Sequence, residues 1–295
     1  MADTRDTWVL AADGGGTQCR VALDTGPRRH VATLGPANVT TDPDGAASTL
    51  REGLSRVAAQ AGCDPETLPR LSCYLALAGL LEEAQADALR AALGLPGAVI
   101  EDERRAAIRG ALGPADGALA ALGTGSFFAV QRDGAVRAAG GWGARLGDEA
   151  SGHWIARAAL TATLDTVDGL RPATSLTEAL LAFFGDRPAG IVAFAADATP
   201  TEIAALAPKV TAAAEAGDAV ASEILDAAAA HVEATLAALG WRAGAPICLI
   251  GGAADSVAEH LSAPARAGRV APRGSVLDGA VGLARARCAR GGVVS

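Results

Sequence analysis

Ala11-Ala12-Asp13-Gly14-Gly15-Gly16-Thr17-Gln18-Cys19-Arg20 is the stretch whose reading decides the fold. An apolar run, Trp8 to Ala12, leads into it, and an alternating run, Cys19 to Leu23, leads out. Alternation with a period of two is a strand signal, so the glycines mark the bend of a strand–turn–strand. Three consecutive glycines remove every Cβ from that bend. The backbone can then take positive φ, and its N–H groups can converge on an anion. Asp13 adds a carboxylate beside the anion and Thr17 a hydroxyl, which suits a phosphate with a divalent metal or the metal's water shell. The competing reading is a plain hairpin turn, but such turns usually need only one or two special residues, such as Asn-Gly.

Two other phosphate loops are excluded. A Walker loop needs Gly-Lys-Ser/Thr opening a helix, and the single lysine, Lys209, lies far from any glycine loop. A dinucleotide fold needs Gly-x-Gly-x-x-Gly opening a helix, whereas Gln18 to Leu23 alternates like a strand.

Beyond the loop, 295 residues allow two domains or one large one, and a 50% hydrophobic share supplies a substantial core. No apolar run is long enough to span a bilayer without Gly, Pro or charge breaking it. Met1 to Thr7 is polar and acidic, unlike a signal peptide. The expected location is the cytoplasm, without a membrane partner. The net charge is −8 and the basic residues are scattered arginines, which argues against nucleic acid as a partner. Cys19, Cys63, Cys73, Cys248 and Cys288 contain no Cys-x-x-Cys pair, so a disulfide scaffold, a zinc site and an iron–sulfur cluster all lack support. His30, His153, His231 and His260 do not pair at metal-ligand spacing.

Strand and helix patterns then alternate. Val31–Leu34 reads as a third strand, Ala46–Ala61 as a helix with Leu50, Leu54 and Val57 on one face, and Leu71–Ala78 as a buried strand. A helix follows through Leu93, then a short strand, Ala98–Ile100, ending at Glu101-Asp102, then a helix, Glu103–Leu112. Past Gly113-Pro114 the pattern restarts. Ala118–Leu122, Phe127–Gln131 and Val136–Ala139 form a second strand meander, bent at Gly123-Thr124-Gly125-Ser126. Two such meanders suggest two related α/β halves. Helices dominate from Gly152 to Gly240. A strand, Ala245–Ile250, ends at Gly251-Gly252-Ala253, and a terminal helix begins at Leu277.

Four loops stand out: Asp13–Thr17, Gly123–Ser126, Gly141–Glu149 and Gly251–Ala253. Any one alone is a turn. Four in such contexts point to a nucleotide, since ligands collect at the carboxyl ends of strands in open α/β sheets.

Their order and content resemble the acetate and sugar kinase, Hsp70 and actin superfamily. Within it they resemble the branch of N-acetylglucosamine and glucosamine kinases grouped with BadF/BadG/BcrA/BcrD-type ATPases. The resemblance covers nearly the whole chain. Its most specific part is Gly140-Gly141-Trp142-Gly143 followed by Leu146-Gly147-Asp148-Glu149-Ala150-Ser151-Gly152. Pro272-Arg273-Gly274 with Leu277-Asp278-Gly279-Ala280 looks like the C-terminal signature.

The resemblance implies two actin-like ATPase (ribonuclease H-like) domains with an active-site cleft between them. They would comprise residues 1–114, completed by a C-terminal helix at 277–295, and residues 115–276. It also implies transfer of the γ-phosphoryl group of ATP, with Mg²⁺, to the 6-hydroxyl of glucosamine or N-acetylglucosamine. Asp13, Gly15, Gly16 and Thr17 match the first phosphate loop, with Asp13 on the metal directly or through water. Thr124 and Gly125 match the second phosphate loop, and Gly251 and Gly252 the adenosine loop. Asp102 matches the catalytic aspartate, which would also touch the sugar, although Glu101 precedes it where the family has Asn or Thr. Asn38, Gly141, Trp142 and Asp148 match sugar-side positions. For Asp102 and Asp148 the competing reading is a helix N-cap; for Asn38 it is a turn residue, and for Trp142 packing in a hinge. Many relatives are dimers, so a homodimer is one assembly the resemblance allows. The alternatives are an activator ATPase for a 2-hydroxyacyl-CoA dehydratase or benzoyl-CoA reductase, a repressor-related sugar kinase, and a non-catalytic sugar sensor. The first two lack their cysteine ligands here; retained Asp13, Asp102, Thr124 and Asp148 argue against the third.

Overall fold

The structure is a computed structural model and describes residues 7–290. Positions 291–295 of the expected terminal helix lie outside the described residues, as do residues 1–6. The chain divides into two units: residues up to Ala115 with those from Pro272, and Asp116–Ala271.

The first unit opens with β1 (Val9–Gly14), β2 (Cys19–Asp24) and β3 (Arg29–Leu34), an antiparallel meander. Helix α1 (Pro43–Ala61) leads to β4 (Ser72–Leu77), which lies parallel to β1. Helix α2 (Glu83–Leu93) leads to β5 (Val99–Glu101), parallel to β4, and α3 (Glu103–Leu112) follows. The sheet order is β3-β2-β1-β4-β5. Successive residues of a strand point to opposite faces, and both faces are covered. Leu10, Ala12, Val21 and Leu23 pack with Leu50, Leu54 and Val57 of α1. Val9, Ala11, Tyr74 and Ala76 pack with Ala106 of α3 and with Leu277, Ala280 and Val281 of α12 (Val276–Cys288).

Two devices hold α12 in this unit. One is a close helix crossing. A Cβ on Gly279 would lie 1.8 Å from the carbonyl oxygen of Ala106, and one on Gly110 2.0 Å from that of Ser275. The other is an ion-pair network around Asp24, which is 5% exposed. Its carboxylate accepts from Arg285 of α12, from Nε of Arg29 at 3.1 Å and from the N–H of Gly26 at 2.9 Å. Burial pushes the Asp24 carboxyl up, but these donors outweigh it and hold it below its ordinary value. Arg29 reaches on to Asp278 at 2.5 Å.

The second unit repeats the meander as β6 (Gly117–Leu122), β7 (Ser126–Arg132) and β8 (Ala135–Gly140). Helices α4 (Gly152–Val167), α5 (Ser175–Phe183), α6 (Pro188–Asp197), α7 (Pro200–Ala204), α8 (Ala207–Glu215) and α9 (Ala219–Ala238) follow. Strand β9 (Ile247–Ile250) pairs parallel with β6, giving the order β8-β7-β6-β9, and α10 (Ala254–Glu259) and α11 (Ala263–Ala267) close the unit. Leu122, Phe128 and Leu249 from the sheet share one core with Ile155, Leu180 and Leu225 from the helices. The α/β reading and both meanders hold. A 3₁₀ turn at Pro65–Arg70 and the short α11 were not expected, because five or six residues show no periodicity. Among the described residues no single helix is long and apolar enough to cross a membrane.

The crossing predicts the cost of a methyl group. Gly279→Ala drives a Cβ into backbone, which cannot yield as a side chain can, so it should destabilise by about 3 kcal/mol, the upper end for overpacking. Thermal melting reads this directly, and an unchanged Tm would refute the close crossing.

Candidate active site

In the first unit the glycine bend is braced by two neighbouring loops. The carbonyl of Gly15 accepts from Ala37 N at 3.0 Å, and that of Gly14 from Ala78 N at 2.7 Å. Across the bend Gly15 N donates to Gln18 O at 2.9 Å. Among the described residues, the N–H groups of Gly16 and Thr17 have no acceptor, and both residues are exposed. Unused donors at an exposed glycine bend are an anion cradle. Asp13 sits at the end of β1, and its carboxylate accepts from Nη2 of Arg20, opposite it on β2, at 2.5 Å.

Asn38 stands beside this bend. Its Oδ1 accepts from the N–H groups of Thr40 and Thr41 at 3.0 and 3.1 Å. The turn therefore consumes the acceptor end and fixes the amide's orientation, leaving Nδ2 without an acceptor among the described residues. Gly79 makes room for it: its φ is +78° and a Cβ there would lie 2.4 Å from Asn38 Oδ1.

Glu101 and Asp102 take different tasks. Glu101 accepts from the hydroxyl of Tyr74 at 2.8 Å and lies 3.5 Å from Arg105, turned toward the packed face of the sheet. Asp102 follows the last residue of β5 and caps α3, accepting from Arg104 N at 2.9 Å. The same carboxylate is gripped by the Arg104 side chain, Nε to Oδ1 and Nη2 to Oδ2, each at 2.8 Å. Burial pushes the Asp102 carboxyl up, yet the Arg104 guanidinium and N–H overcome it and hold it below the ordinary carboxylate value.

In the second unit, loop Gly123–Ser126 is fastened from below. Gly152 N donates to Gly123 O at 2.8 Å, His153 N to Thr124 O at 3.2 Å and Gly141 N to Ser126 O at 2.9 Å. Among the described residues the N–H groups of Gly123, Thr124 and Gly125 are not donated. Asp148 was read as a sugar ligand or a cap of α4. The cap is Ser151, which accepts from Trp154 N. Asp148 is 8% exposed, and its Oδ1 accepts from Ser126 N at 3.2 Å. Its carboxylate is thus built under the second loop, and a Cβ on Gly125 would meet Oδ2 at 2.7 Å. Trp142 is 66% exposed within its unit.

Gly251, after β9, has φ +105°, and a Cβ there would lie 2.4 Å from Leu122 O, so the third glycine loop presses against the second. Beside them lies a cavity of about 450 Å³ with Gly123, Thr124 and Gly252 on one side. Ala204 of α7 with Ala207 and Pro208 of α8 form the other. The sequence reading missed this helical wall; its one local signal is Thr199-Pro200-Thr201-Glu202, a capping box.

The sequence pattern of the BadF/BadG/BcrA/BcrD ATPase family matches residues 12–284. The chain belongs to that ATPase family. It is similar to the glucosamine kinase GspK of Vibrio cholerae, 29% identical over 93% of this chain and 94% of that protein. It is similar to a structure from Chromobacterium violaceum described as a candidate N-acetylglucosamine kinase, 30% identical, TM-score 0.78, over 95% of this chain and 99% of that one. A glucokinase of the ROK family from Streptomyces griseus shares the fold at 19% identity and TM-score 0.55, over 94% and 98% of the two chains. Its fold is therefore the actin-like ATPase fold of the sugar kinases, and the family uses ATP.

The loops of this ATPase family member suit that nucleotide: the first two carry unused N–H donors among the described residues, and glycine keeps the backbone bare. Asp13 provides one carboxylate, and Mg²⁺ characteristically takes one or two from the protein and the rest of its shell from phosphates and water.

Gly251→Ala should lower Tm strongly, because both the left-handed φ, worth about 1–3 kcal/mol, and the collision with Leu122 O oppose it. Gly252→Ala, with nothing within 4 Å of its Cβ, should melt like the parent. Equal melting of the two variants would contradict the stacked loops.

Proposed function

We propose that this chain is an ATP-dependent aminosugar kinase that moves the γ-phosphoryl group of ATP to the 6-hydroxyl of glucosamine or N-acetylglucosamine. The similarity to the two aminosugar kinases along nearly the whole chain supports the substrate class. The observation that carries the chemistry is Asp102. It is an ionised carboxylate at the carboxyl end of a strand, in the unit that also holds the Asp13–Thr17 cradle and the free amide of Asn38.

In this reading Gly15, Gly16 and Thr17 donate to phosphate oxygens in the first unit. Thr124 and Gly125 do so in the second, with adenosine in the cavity beside Gly251 and Gly252. Asp13 would hold Mg²⁺, directly or through water, and the ion would supply neutralisation of phosphate charge. Asn38 Nδ2 donates to a sugar hydroxyl from the first unit, and Gly141, Trp142 and Asp148 are the sugar-side residues of the second. Asp102 takes the proton of the 6-hydroxyl as the O–P bond forms and ADP leaves. Phosphoryl transfer depends mainly on positioning and charge neutralisation, so one base suffices. Cys19 and Cys73 are core thiols, pushed up to about 12 chiefly by burial, and stand apart from the reaction.

The deciding experiment measures ADP release from Mg-ATP with glucosamine, N-acetylglucosamine and plain hexoses. Sugar-dependent release with an aminosugar is expected, and none across the panel would end the kinase reading. Asp102→Asn should lower kcat about 10²–10⁴-fold and leave ATP binding intact; retained turnover would remove Asp102 as the base.

Arg104 makes a pH prediction. The base works only when ionised, so the rate falls as pH drops through its pKa. Arg104 depresses that pKa, and Arg104→Gln should therefore move the acidic limb of kcat/KM to higher pH. An unmoved limb would show that the grip does not set the basicity of Asp102.

A further inference from the structure

The second unit holds another cavity, of about 660 Å³, larger than the one beside the glycine loops. Its volume lies within the range typical of small-molecule sites, roughly 300–1,000 Å³. Leu160 of α4, Ile191 of α6 and Ile203 of α7 give it an apolar floor, and all three are buried. Arg145, Arg157 and His153 stand around it. No carboxylate and no Phe, Tyr or Trp lines it. That is a local inversion of charge in a chain with 33 acidic and 25 basic residues.

The side chains of these three residues are not tied up in hydrogen bonds, and burial with the neighbouring Arg157 holds the His153 imidazole below its ordinary value, toward its neutral form. Among the described residues neither Arg145 nor Arg157 makes a salt bridge or donates a side-chain hydrogen bond. His153 is 6% exposed, lines the cavity, and its ring nitrogens likewise have no hydrogen-bond partner. Arg145 and Arg157 are exposed and the His153 ring lines the cavity, so all three can offer donors to a ligand there. A planar guanidinium fork matches a carboxylate, and charge-assisted bonds of this kind are about twice as strong as neutral ones.

We propose that this cavity is a binding site for an aliphatic carboxylate. Arg145, Arg157 and His153 receive the carboxylate, and the tail lies along Leu160, Ile191 and Ile203. The absence of Phe, Tyr and Trp from the apolar floor favours an open alkyl chain over a ring that would stack there. Arg145 lies in the Gly141–Glu149 loop and the backbone N–H of His153 braces Thr124 O, but the side chains of Arg145, Arg157 and His153 have no role in the kinase reading, so binding measured without ATP or sugar stands or falls apart from it.

Titration calorimetry of the full chain with sodium octanoate, without ATP or sugar, tests this. Octanoate should bind with submillimolar affinity, and the double variant Arg145→Gln, Arg157→Gln should weaken it about tenfold or more. Ala195→Trp, on the exposed wall of the same cavity, should abolish binding while the protein melts as before. Octanol binding as tightly as octanoate would overturn the cationic half. Acetate or inorganic phosphate doing so would overturn the apolar half. Octanoate binding that survives both sets of substitutions, or no binding at all, would overturn the site.

Discussion

The crossing of α3 and α12 at Gly110 and Gly279 is the contact on which the first unit depends. Helix axes usually lie 8–10 Å apart, the spacing their side chains impose. Here two missing side chains let backbone approach backbone, and the approach seats Leu277, Ala280 and Val281 against Val9, Ala11 and Tyr74. Helix α3 is also the helix that Asp102 caps. A methyl group added at the crossing would therefore disturb the element on which the candidate base is mounted.

The glycine loops follow a common rule of hydrogen-bond bookkeeping. Their carbonyls accept from neighbouring segments while several N–H groups stay unused. A loop that satisfied both would be a rigid turn with nothing to offer. A loop that satisfied neither would cost too much to hold in place, since backbone polar groups need partners. In the first two loops bracing that falls mainly on oxygen fixes the shape and leaves donors for an anion. Asp148 extends the scheme, because its carboxylate supports Ser126 from beneath and Ser126 Oγ donates to Glu149 O at 2.6 Å.

Much of this was legible in the sequence. The alternation of Cys19–Leu23 identified a strand after the glycines, and that one distinction separated this fold from the dinucleotide folds. The repeated meander foretold two sheets of matching design. The parts that were not legible are contacts between residues distant in the chain or with ambiguous local roles. Gly279 looks like any helical glycine until Ala106 is beside it. Arg104 reads as one more charged residue in a first turn, yet it grips the carboxylate two positions earlier. Asp148 reads as a helix cap, yet Ser151 holds that position, and only the fold of segment 141–153 shows it. The cavity wall on α7 and α8 is built from alanines and a proline, which carry no motif.

The placement of α12 also has a consequence for how the molecule is made. The second unit is continuous, Asp116–Ala271, and all of its strands and helices emerge from the ribosome in one run. The first unit begins earlier but lacks a layer until Val276–Cys288 has been synthesised. Domains ordinarily acquire structure from the N-terminal end during synthesis, at about 5–20 residues per second. Here the sheet built first lacks its α12 cover over Val9, Ala11 and Tyr74 until more than half of the chain has been translated after it.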